Sequence, residues 1–277
     1  MKRKTLGKFR LDHRVAIITG GAGFLGVQHA EAIAEVGGIP ILWDIVGKSA
    51  RIRATEIAKR FNVRCLGMKV DITNPRAVRR GLSDVLKTHQ RVHILINNAA
   101  NDPKVNASQN MNWSRLESYS IETWNEDLSV GLTGAFICSQ VIGSHMAENG
   151  AGIILNIASD LGLIAPDQRI YRKKGLSEDQ QFVKPVSYSV VKHGLIGLTK
   201  YLATYWADKN IRVNALSPGG VYTDQPGEFV TKLANLIPMG RMAKRDEYKA
   251  AVLFLISEAS SYMTGSNLII DGGRTCW

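Results

Sequence analysis

The stretch VAIITGGAGFLG, Val15 to Gly26, carries the strongest indication of how this chain folds. The run VAIIT is typical of a β-strand that is buried on both faces. Glycines follow at once, and the segment from Val27 to Val36 predicts a helix. A strand that turns through glycines into a helix lets backbone N–H groups approach a pyrophosphate, whose charge the helix dipole stabilises. The turn therefore predicts a nucleotide-binding loop formed by Gly20, Gly23, Phe24, Leu25 and Gly26.

The rest of the chain repeats this alternation of strand and helix. Alternating strands and helices imply βαβ units and a parallel sheet with helices on both faces. The sequence thus predicts a single doubly wound α/β domain over residues 11–277, with about seven strands, after a short basic arm at residues 1–10. A further helix is predicted from Leu195 to Ala207. The other predicted strands are Pro40 to Asp44, Val63 to Asp71, His93 to Ala99, Gly152 to Ser159, Ile211 to Pro218 and Asn267 to Gly273.

Composition excludes several classes of protein. The chain has 277 residues, of which 45% are hydrophobic, so a sizeable core is expected. Its longest apolar run, Ala250 to Ile256, is far shorter than the ~18 residues of a membrane span. The basic N-terminus lacks the apolar core of a secretory signal. Three scattered cysteines, Cys65, Cys138 and Cys276, form no metal-binding spacing and predict reduced thiols in a cytoplasmic protein.

The chain is strongly basic, with a net charge of +11 and a pI near 9.6. A basic surface suits nucleic acid, but it suits anionic small molecules equally well. The cations concentrate in the N-terminal arm, in Arg51 to Phe61 and in Arg169 to Gly175. Because no zinc-finger spacing and no RNA-binding signature accompanies them, nucleic-acid binding is the weaker interpretation.

Asp44 ends the second predicted strand and strengthens the nucleotide interpretation of the glycine turn. A glycine-rich turn alone can serve close packing. An acid at the end of the next strand, in contrast, can bind the hydroxyls of an adenosine ribose. A carboxylate there repels a 2′-phosphate, so the sequence favours NAD over NADP. Lys48 and Arg51 follow closely and are the argument for NADP.

The stretch YSVVK places a phenol, Tyr188, four residues before an ammonium, Lys192. On a helix these two side chains share one face. A tyrosine titrates near ~10 in water, and a fixed positive charge close by favours the phenolate and lowers that pKa. The pair is either a tuned general acid/base or an ordinary pair on a solvated helix.

Six sequence features occur in an order that resembles the short-chain dehydrogenase/reductase family, in its compact single-domain form with a Rossmann fold. The resemblance extends from about Leu11 to the C-terminus. The tail, YMTGSNLIIDGG, is also similar to the family's last strand. The six features are TGGAGFLG at Thr19, Asp71 at the end of the third strand, NNAA at Asn97, Ser159 after the fifth strand, YSVVK at Tyr188 and SPGGVYT at Ser217.

The resemblance implies a role for each matching residue. Tyr188 would exchange a proton with the substrate oxygen, Lys192 would bind the nicotinamide ribose and lower the Tyr188 pKa, and Ser159 would hydrogen-bond the reacting group. Hydride transfer itself belongs to the nicotinamide cofactor. Ser159 and Asp71 also have a purely structural interpretation as caps of the next helix. The remaining implied cofactor contacts are Asp71 and Ile72 at the adenine, Asn98, Ala99 and Ala100, and Pro218, Gly219, Val221 and Thr223 at the nicotinamide.

Two further features depart from the family pattern. The glycine loop has the spacing TGxxGxxG, which is similar to the longer, nucleotide-sugar-modifying branch of the superfamily. Gly131 stands where the family has an asparagine in a water chain that links the lysine to solvent. We expect a water molecule to fill the space of the missing side chain.

The third departure is an insertion. Ser159 and Tyr188 are 29 positions apart, more than is usual in the family, and the surplus is the polar stretch from Ala165 to Pro185. A loop this long in a compact domain is usually functional or disordered. It is either a substrate loop or a solvated charged segment. As a substrate loop it would bind a phosphate or carboxylate through Arg169, Arg172, Lys173 and Lys174.

The resemblance implies an NAD-dependent oxidoreductase that interconverts a secondary alcohol and a ketone. The inserted loop and the ending DGGRTCW are similar to oxidoreductases of bacterial surface-sugar and flagellin-modification pathways, which suggests a sugar, sugar phosphate or nucleotide sugar as substrate. The alternatives are a nucleotide-sugar epimerase or dehydratase that retains its NAD, and a catalytically weak NAD-binding protein. Members of the family commonly form homodimers or homotetramers.

Overall fold

The sheet has seven parallel strands in the order β3-β2-β1-β4-β5-β6-β7. They are seen in a computed structural model that describes residues 4–101 and 113–277. The chain builds β1 to β3 outward in one direction and then returns to place β4 to β7 on the other side of β1. This is the doubly wound arrangement that the sequence predicts. The strands are Val15–Thr19 (β1), Ile39–Asp44 (β2), Leu66–Lys69 (β3), Ile94–Asn97 (β4), Gly152–Ile157 (β5), Ile211–Pro218 (β6) and Asn267–Ile270 (β7).

Eight α-helices in the described residues accompany the sheet, and α6 differs most from the prediction. It begins at Val186, before the predicted start at Leu195, and therefore contains YSVVK. Serine, tyrosine and valine are weak helix formers, so packing rather than intrinsic propensity starts this helix. The helices are Phe24–Glu35 (α1), Gly47–Phe61 (α2), Pro75–Leu86 (α3), Ile121–Leu128 (α4), Gly134–Glu148 (α5), Val186–Tyr205 (α6), Gly227–Ala234 (α7) and Lys249–Ile256 (α8).

Side chains that alternate along each strand form two separate cores, one on each face of the sheet. On one face, Ile17 of β1 packs in a cluster with Val78 of α3 and Ile142 of α5. On the other face, Ile18 belongs to a cluster with residues of α1, α2 and α8, including Ile33. With both faces covered, the functional groups of the sheet are confined to the ends of the strands.

Part of the predicted N-terminal arm is helical. Within the arm, Thr5–Phe9 forms a short 3-10 helix, and residues 1–3 lie outside the described residues.

The helical stretch Ile121–Glu148 is long and apolar enough to cross a membrane, although half of its most apolar window is buried inside the protein. It packs against α3 and α6, as a core helix does.

Candidate active site

The carboxyl ends of β1 and β4 form the point where the sheet changes direction, and a cavity of about 880 Å³ opens there. In open α/β sheets this point is the usual position of a ligand. Many of the wall residues lie at or just after the ends of β1 to β6, and residues of α1, α4, α6 and α7 contribute to the wall. One half of the cavity therefore lies over β2 and β3, and the other half lies over β5 and β6.

The glycine loop fits a close approach of a pyrophosphate. Gly20 has a positive φ of 60°, and a Cβ added there would lie 2.9 Å from the Cα of Ala99. Gly23 caps α1 without a side chain, so the first N–H groups of the helix remain available to an anion. Gly20, Gly23, Phe24 and Leu25 all lie on the cavity wall. Gly26 lies behind it, where an added Cβ would be 2.3 Å from the carbonyl oxygen of Gly20.

Asn98 holds the glycine loop in place. Its side-chain amide donates to the carbonyl oxygens of Thr19 (3.0 Å) and Gly20 (3.2 Å). The backbone N–H groups of Asn98 and Ala99 donate in turn to the Thr19 hydroxyl at 3.0 and 3.1 Å. Asn98, Ala99 and Ala100 all line the cavity, so this network fixes one of its walls.

The two predicted adenosine carboxylates lie on the same side of the cavity. Asp44 accepts hydrogen bonds from the backbone N–H groups of Ala22 (3.1 Å) and Val46 (2.9 Å), which orient its carboxylate. Asp71 accepts from both the N–H and the hydroxyl of Thr73, at 2.9 and 2.6 Å. The cap of α3 is Asn74, not Asp71. Asp44, Asp71 and Ile72 all reach the cavity wall.

Tyr188 and Lys192 lie one turn apart on α6, and both line the cavity. The ammonium of Lys192 is 5.7 Å from the centre of the Tyr188 ring. It also donates a hydrogen bond of 2.8 Å to the carbonyl oxygen of Ile157, at the end of β5. Lys192 is only 5% exposed. Lys192 is therefore a fixed and buried positive charge beside the Tyr188 ring.

Ser159 lies at the carboxyl end of β5, on the same wall, and is bonded to a buried ion pair. Its hydroxyl donates to Asp160 Oδ1 (2.8 Å) and accepts from the N–H of Leu161 (3.2 Å). Ser159 therefore does cap a short 3-10 helix, Asp160–Gly162. The other Asp160 oxygen accepts from Arg274 Nη1 at 2.7 Å. The two charged side chains are 4% and 7% exposed, and both reach the cavity wall.

A buried acid ties the start of α6 to α4. Asp127 Oδ2 accepts hydrogen bonds from the Tyr119 hydroxyl (2.6 Å) and from the Ser187 hydroxyl (2.5 Å). Burial, together with the bond to Asp127, raises the pKa of Tyr119 to about 12, so this phenol remains a donor. Because Ser187 directly precedes Tyr188, the network fixes the first turn of the helix that carries Tyr188.

The predicted nicotinamide end is a turn after β6, and its residues Pro218, Gly219, Val221 and Thr223 line the cavity. Gln225 stabilises the turn, since its amide oxygen accepts from the N–H of Thr223 (2.7 Å) and its amide nitrogen donates to the carbonyl of Val221 (2.8 Å). Sequence reasoning did not find Gln225, which also lies on the wall.

The space beside Gly131 is narrow, and the water molecule predicted there stays a prediction. Gly131 lies in a π-helical turn, Ser129–Thr133, between α4 and α5. A Cβ added to Gly131 would lie 2.6 Å from Cγ1 of Val191, a residue of α6 that is 5% exposed. The valine methyl group thus fills the space into which a side chain at position 131 would extend.

The inserted segment from Ala165 to Pro185 is folded, and its four predicted anion-binding cations do not line the cavity. Its buried residues Ile170 and Phe182 anchor it, and Ile170 packs in a cluster with residues of α7. Arg169 pairs with Asp167 and Arg172 pairs with Glu178, while Lys173 stacks on the Phe182 ring at 4.7 Å and Lys174 is exposed. The residues of this segment that reach the wall are Ile170, Tyr171 and Lys184.

Across residues 4–101 and 113–277, no three His, Cys, Asp or Glu side chains lie close enough together to hold a metal ion. The described cavity presents phenol, ammonium, hydroxyl and carboxylate groups. The glycine loop, the oriented Asp44 carboxylate and the uncapped start of α1 together fit a dinucleotide. The phenol–ammonium–hydroxyl set at the other end fits proton exchange with a substrate oxygen.

Comparison with known proteins gives consistent matches over nearly the whole chain. A family model described as enoyl-(acyl carrier protein) reductase matches residues 22–275. An NAD-dependent glycerol dehydrogenase of Listeria innocua is 32% identical, over 96% of both chains. A D-threitol dehydrogenase of Mycolicibacterium smegmatis is 32% identical over 96% of this chain and 95% of that protein. An NADP-dependent mannitol dehydrogenase of Alternaria alternata is also 32% identical, over 96% of this chain and 93% of that protein.

Solved structures agree in fold and extent. A short-chain type dehydrogenase/reductase from Mycobacterium marinum has a TM-score of 0.84 and 29% identity, and the match covers 99% of this chain and 100% of that one. A gluconate 5-dehydrogenase from Burkholderia cenocepacia, in complex with NADP and tartrate, has a TM-score of 0.86 and 26% identity over 99% and 100% of the two chains. The protein is thus a nicotinamide-dependent oxidoreductase that acts on CH–OH groups. It belongs to the short-chain dehydrogenase/reductase family.

Proposed function

We propose that the protein is an NAD-dependent dehydrogenase that interconverts a secondary alcohol and a ketone on a polyol, a sugar or a sugar derivative. The observation that carries this proposal is the shared cavity. Tyr188, Lys192 and Ser159 line one part of it, and the glycine loop with Asp44 lines another. A phenol that exchanges protons and a site for a dinucleotide are the two requirements of alcohol oxidation.

The residues divide the reaction between them. The glycine loop and Asp44 would hold NAD, whose nicotinamide would supply the hydride acceptor for the carbinol carbon. The Tyr188 phenolate takes the hydroxyl proton of the alcohol, and in the reverse direction the phenol returns it. Lys192, held by the Ile157 carbonyl, stabilises the phenolate. Ser159 hydrogen-bonds the substrate oxygen and orients it toward Tyr188.

NAD is the cofactor that the geometry favours. The Asp44 carboxylate is fixed by two backbone N–H groups on the adenosine side of the cavity, where it would accept bonds from ribose hydroxyls and repel a 2′-phosphate. Lys48 and Arg51, the residues that argue for NADP, are not among those that line the described cavity. The relatives include both NAD-dependent and NADP-dependent enzymes.

The substrate class draws support from two sources. Several of the similar proteins are named for glycerol, threitol, mannitol and gluconate, while others are named for an acyl-carrier-protein or an acyl-CoA substrate. The sequence resemblance to oxidoreductases of surface-sugar and flagellin-modification pathways extends the proposal to sugar phosphates and nucleotide sugars. Common to the polyols, sugars and sugar derivatives is a carbon chain with several hydroxyl groups.

The experiment is an assay of NADH or NADPH formation at 340 nm, with both cofactors and with polyols, sugars, sugar acids, sugar phosphates and nucleotide sugars as substrates. Tyr188→Phe is the control, and we expect it to lower kcat by about 10²–10⁴-fold because the proton acceptor is lost. Retained turnover in this variant would contradict the assigned chemistry. A higher kcat/KM with NADP than with NAD would contradict the cofactor choice.

The same assay separates the alternatives. An epimerase or dehydratase that retains its cofactor would carry NAD through purification and convert a nucleotide sugar without net NADH formation. A catalytically weak binding protein would take up NAD with no turnover on any class of substrate. If it acted on nucleic acid, its DNA binding would fall steeply with added salt.

We also propose a homodimer or homotetramer that works in the cytoplasm. Support for assembly comes from large side chains exposed on the helices, namely Phe136 on α5 and the stacked pair Tyr201 and Tyr205 on α6. Support for a reducing compartment comes from the free thiols Cys65 and Cys138. Light scattering coupled to size-exclusion chromatography measures the assembly directly, and a monomer at micromolar concentration would contradict it.

A further inference from the structure

We propose that Arg274 and Ser159 together recognise a second hydroxyl group of the substrate, on the carbon next to the reacting carbinol, and that Asp160 positions both of them. This inference rests on the proposed alcohol dehydrogenase function and narrows its substrate class to alcohols with a neighbouring hydroxyl group. All three side chains are nearly buried and lie on the cavity wall.

The hydrogen bonds of the Ser159 hydroxyl are determined by its partner Asp160. The Asp160 carboxylate is paired with the Arg274 guanidinium at 2.7 Å, and an ionised carboxylate can only accept hydrogen bonds. The bond of 2.8 Å between Ser159 Oγ and Asp160 Oδ1 therefore uses the one proton of the hydroxyl. The N–H of Leu161 donates to Ser159 Oγ at 3.2 Å. Since a hydroxyl oxygen can accept two hydrogen bonds, Ser159 has one acceptor position left for a substrate.

Arg274 offers the complementary group. A guanidinium has five N–H donors, and Nη1 gives one of them to Asp160. The other two nitrogens, Nε and Nη2, bond to none of the described residues, and neither is fully enclosed. Because this nearly buried side chain lies on the cavity wall, its remaining donors face the cavity.

The Asp160–Arg274 pair lies beside the proposed reacting centre. On one side, the turn after β7 packs against the proposed nicotinamide end, since a Cβ added to Gly219 would lie 2.8 Å from the Cα of Asp271. On the other side, the short 3-10 helix Asp160–Gly162 packs against α6, since a Cβ added to Gly162 would lie 2.8 Å from the carbonyl oxygen of Lys192. The pair therefore lies between the turn that would hold the nicotinamide and the helix that carries the proposed catalytic phenol.

A hydroxyl is the group that fits an acceptor and a donor side by side. Ser159 and Arg274 are bonded to the two oxygens of one carboxylate, so they lie close together. A hydroxyl group can donate its proton to Ser159 while its oxygen accepts from Arg274, whereas a ketone or carboxylate oxygen has no proton for Ser159. The proton of the reacting hydroxyl goes to Tyr188, so the recognised hydroxyl is a second one. Through this second hydroxyl, Ser159 orients the substrate toward Tyr188.

The test compares alcohols that share one carbon chain and one reacting carbon. In 2-propanol, 1,2-propanediol and glycerol the secondary carbon has no, one or two neighbouring hydroxyl groups. The best substrate of the assay described above is compared in the same way with its deoxy analogues at the two neighbouring carbons. The readout is the ratio of kcat/KM for the diol to kcat/KM for the mono-alcohol. This ratio does not depend on the folded fraction of a variant.

Three variants alter the site, and a fourth is the control. Arg274→Met removes the guanidinium, and Asp160→Asn with Arg274→Met removes it without leaving a buried unpaired charge. Arg274→Lys keeps the ion pair with Asp160, but its shorter and compact ammonium lacks the planar fork that reaches both Asp160 and a substrate. Arg169→Met is the matched control, because Arg169 is an exposed arginine that pairs with Asp167 and does not line the described cavity.

We expect the wild type to prefer 1,2-propanediol over 2-propanol by at least about 100-fold in kcat/KM, because 2-propanol leaves the buried polar groups of Ser159 and Arg274 unpaired. Arg274→Met, Arg274→Lys and the double variant should each lower this ratio by about 10- to 100-fold, the range for a lost hydrogen bond to a charged group. Arg169→Met should keep the wild-type ratio. A purely structural role of the ion pair predicts instead that Arg274→Lys keeps the ratio.

Three outcomes would overturn the inference. These are equal kcat/KM for the three alcohols in the wild type, a wild-type ratio in Arg274→Lys or in the double variant, and an equal fall of the ratio in Arg169→Met. Ligand-observed NMR titration of the enzyme–NADH complex with the same alcohols measures binding without turnover. If no alcohol is oxidised but the complex binds the diol over the mono-alcohol through Arg274, the dehydrogenase function fails and the hydroxyl site remains. If the three alcohols are oxidised equally well, the function remains and the hydroxyl site fails.

Discussion

The two halves of the cavity are built in different ways. The half over β2 and β3, the proposed cofactor half, is made largely of backbone, since the glycine loop offers N–H groups and the Asp44 carboxylate is itself oriented by backbone donors. The half over β5 and β6, the proposed substrate half, is made of charged and polar side chains from distant parts of the chain, such as Ser159, Asp160 and Arg274. A site lined by backbone tolerates little change where two segments of the main chain approach closely. A pair of interacting side chains, in contrast, can be replaced if both partners are changed together. We therefore expect substitutions in the two halves to disrupt the protein in different ways.

The largest effect is expected from breaking the buried pair in the substrate half. Arg274→Met leaves the carboxylate of Asp160 buried without its partner and should lower the free energy of unfolding by about 3–5 kcal/mol. Arg169→Met is the matched control, because the Arg169–Asp167 pair has an arginine that is 82% exposed and should contribute no more than about 1 kcal/mol. Urea unfolding measures both variants. Equal losses of unfolding free energy in the two variants would show that the burial of the Asp160–Arg274 pair has no energetic consequence.

The same pair also tests whether the substrate half behaves as an exchangeable unit. Replacing both partners, as Asp160→Asn with Arg274→Met, removes the unpaired charge and should recover much of the stability that Arg274→Met loses. Ser159 keeps a side-chain acceptor at position 160 in this double variant. A double variant that is as unstable as Arg274→Met alone would contradict the description of this region as paired side chains.

The contrast between the halves also explains how far the sequence could predict the site. The strand, the glycine turn and the helix of the cofactor half are contiguous from Val15 to Glu35, so a local pattern identifies them. Asp160 and Arg274 are separated by 114 positions, and no local pattern pairs them. The same holds for Gly131 and Val191, which only the packing of the helices brings together.

Lys184 is an intermediate case, because a signal for it is present in the sequence. In KPVSYSVVK, lysines stand four positions before and four positions after Tyr188. Pro185 interrupts the apparent helical pattern, so only the second lysine is recognised by helical spacing. The structure shows that Pro185 caps the helix and that Lys184 reaches the phenol from outside it. The longer cluster RIYRKKG is predicted to bind anions from its basic composition. In the structure its arginines are paired with neighbouring acids.

A smaller effect is expected from one methyl group in the cofactor half. Gly26→Ala would place a Cβ 2.3 Å from the Gly20 carbonyl oxygen, so the loop must move. Overpacking of this kind costs about 1–3 kcal/mol, which corresponds to an NADH dissociation constant raised by about 10- to 100-fold if the cost falls on the bound loop. Gly197→Ala in α6 is the matched control, because its Cβ would meet nothing within 4 Å. Unchanged NADH affinity in Gly26→Ala, measured by fluorescence, would contradict a backbone-built site.

The smallest effect is expected at the π-helical turn that contains Gly131. Gly131→Asn forces Val191 to shift, because the new Cβ would lie 2.6 Å from its Cγ1. The overpacking cost is partly offset by the better helix propensity of asparagine, so the net loss should be about 1–2 kcal/mol of unfolding free energy. Val191→Ala vacates this space. In a Val191→Ala background, Gly131→Asn should therefore lower the free energy of unfolding much less than it does in the wild type. A strictly additive double variant, measured by urea unfolding, would show that Val191 does not occupy the side-chain position of residue 131.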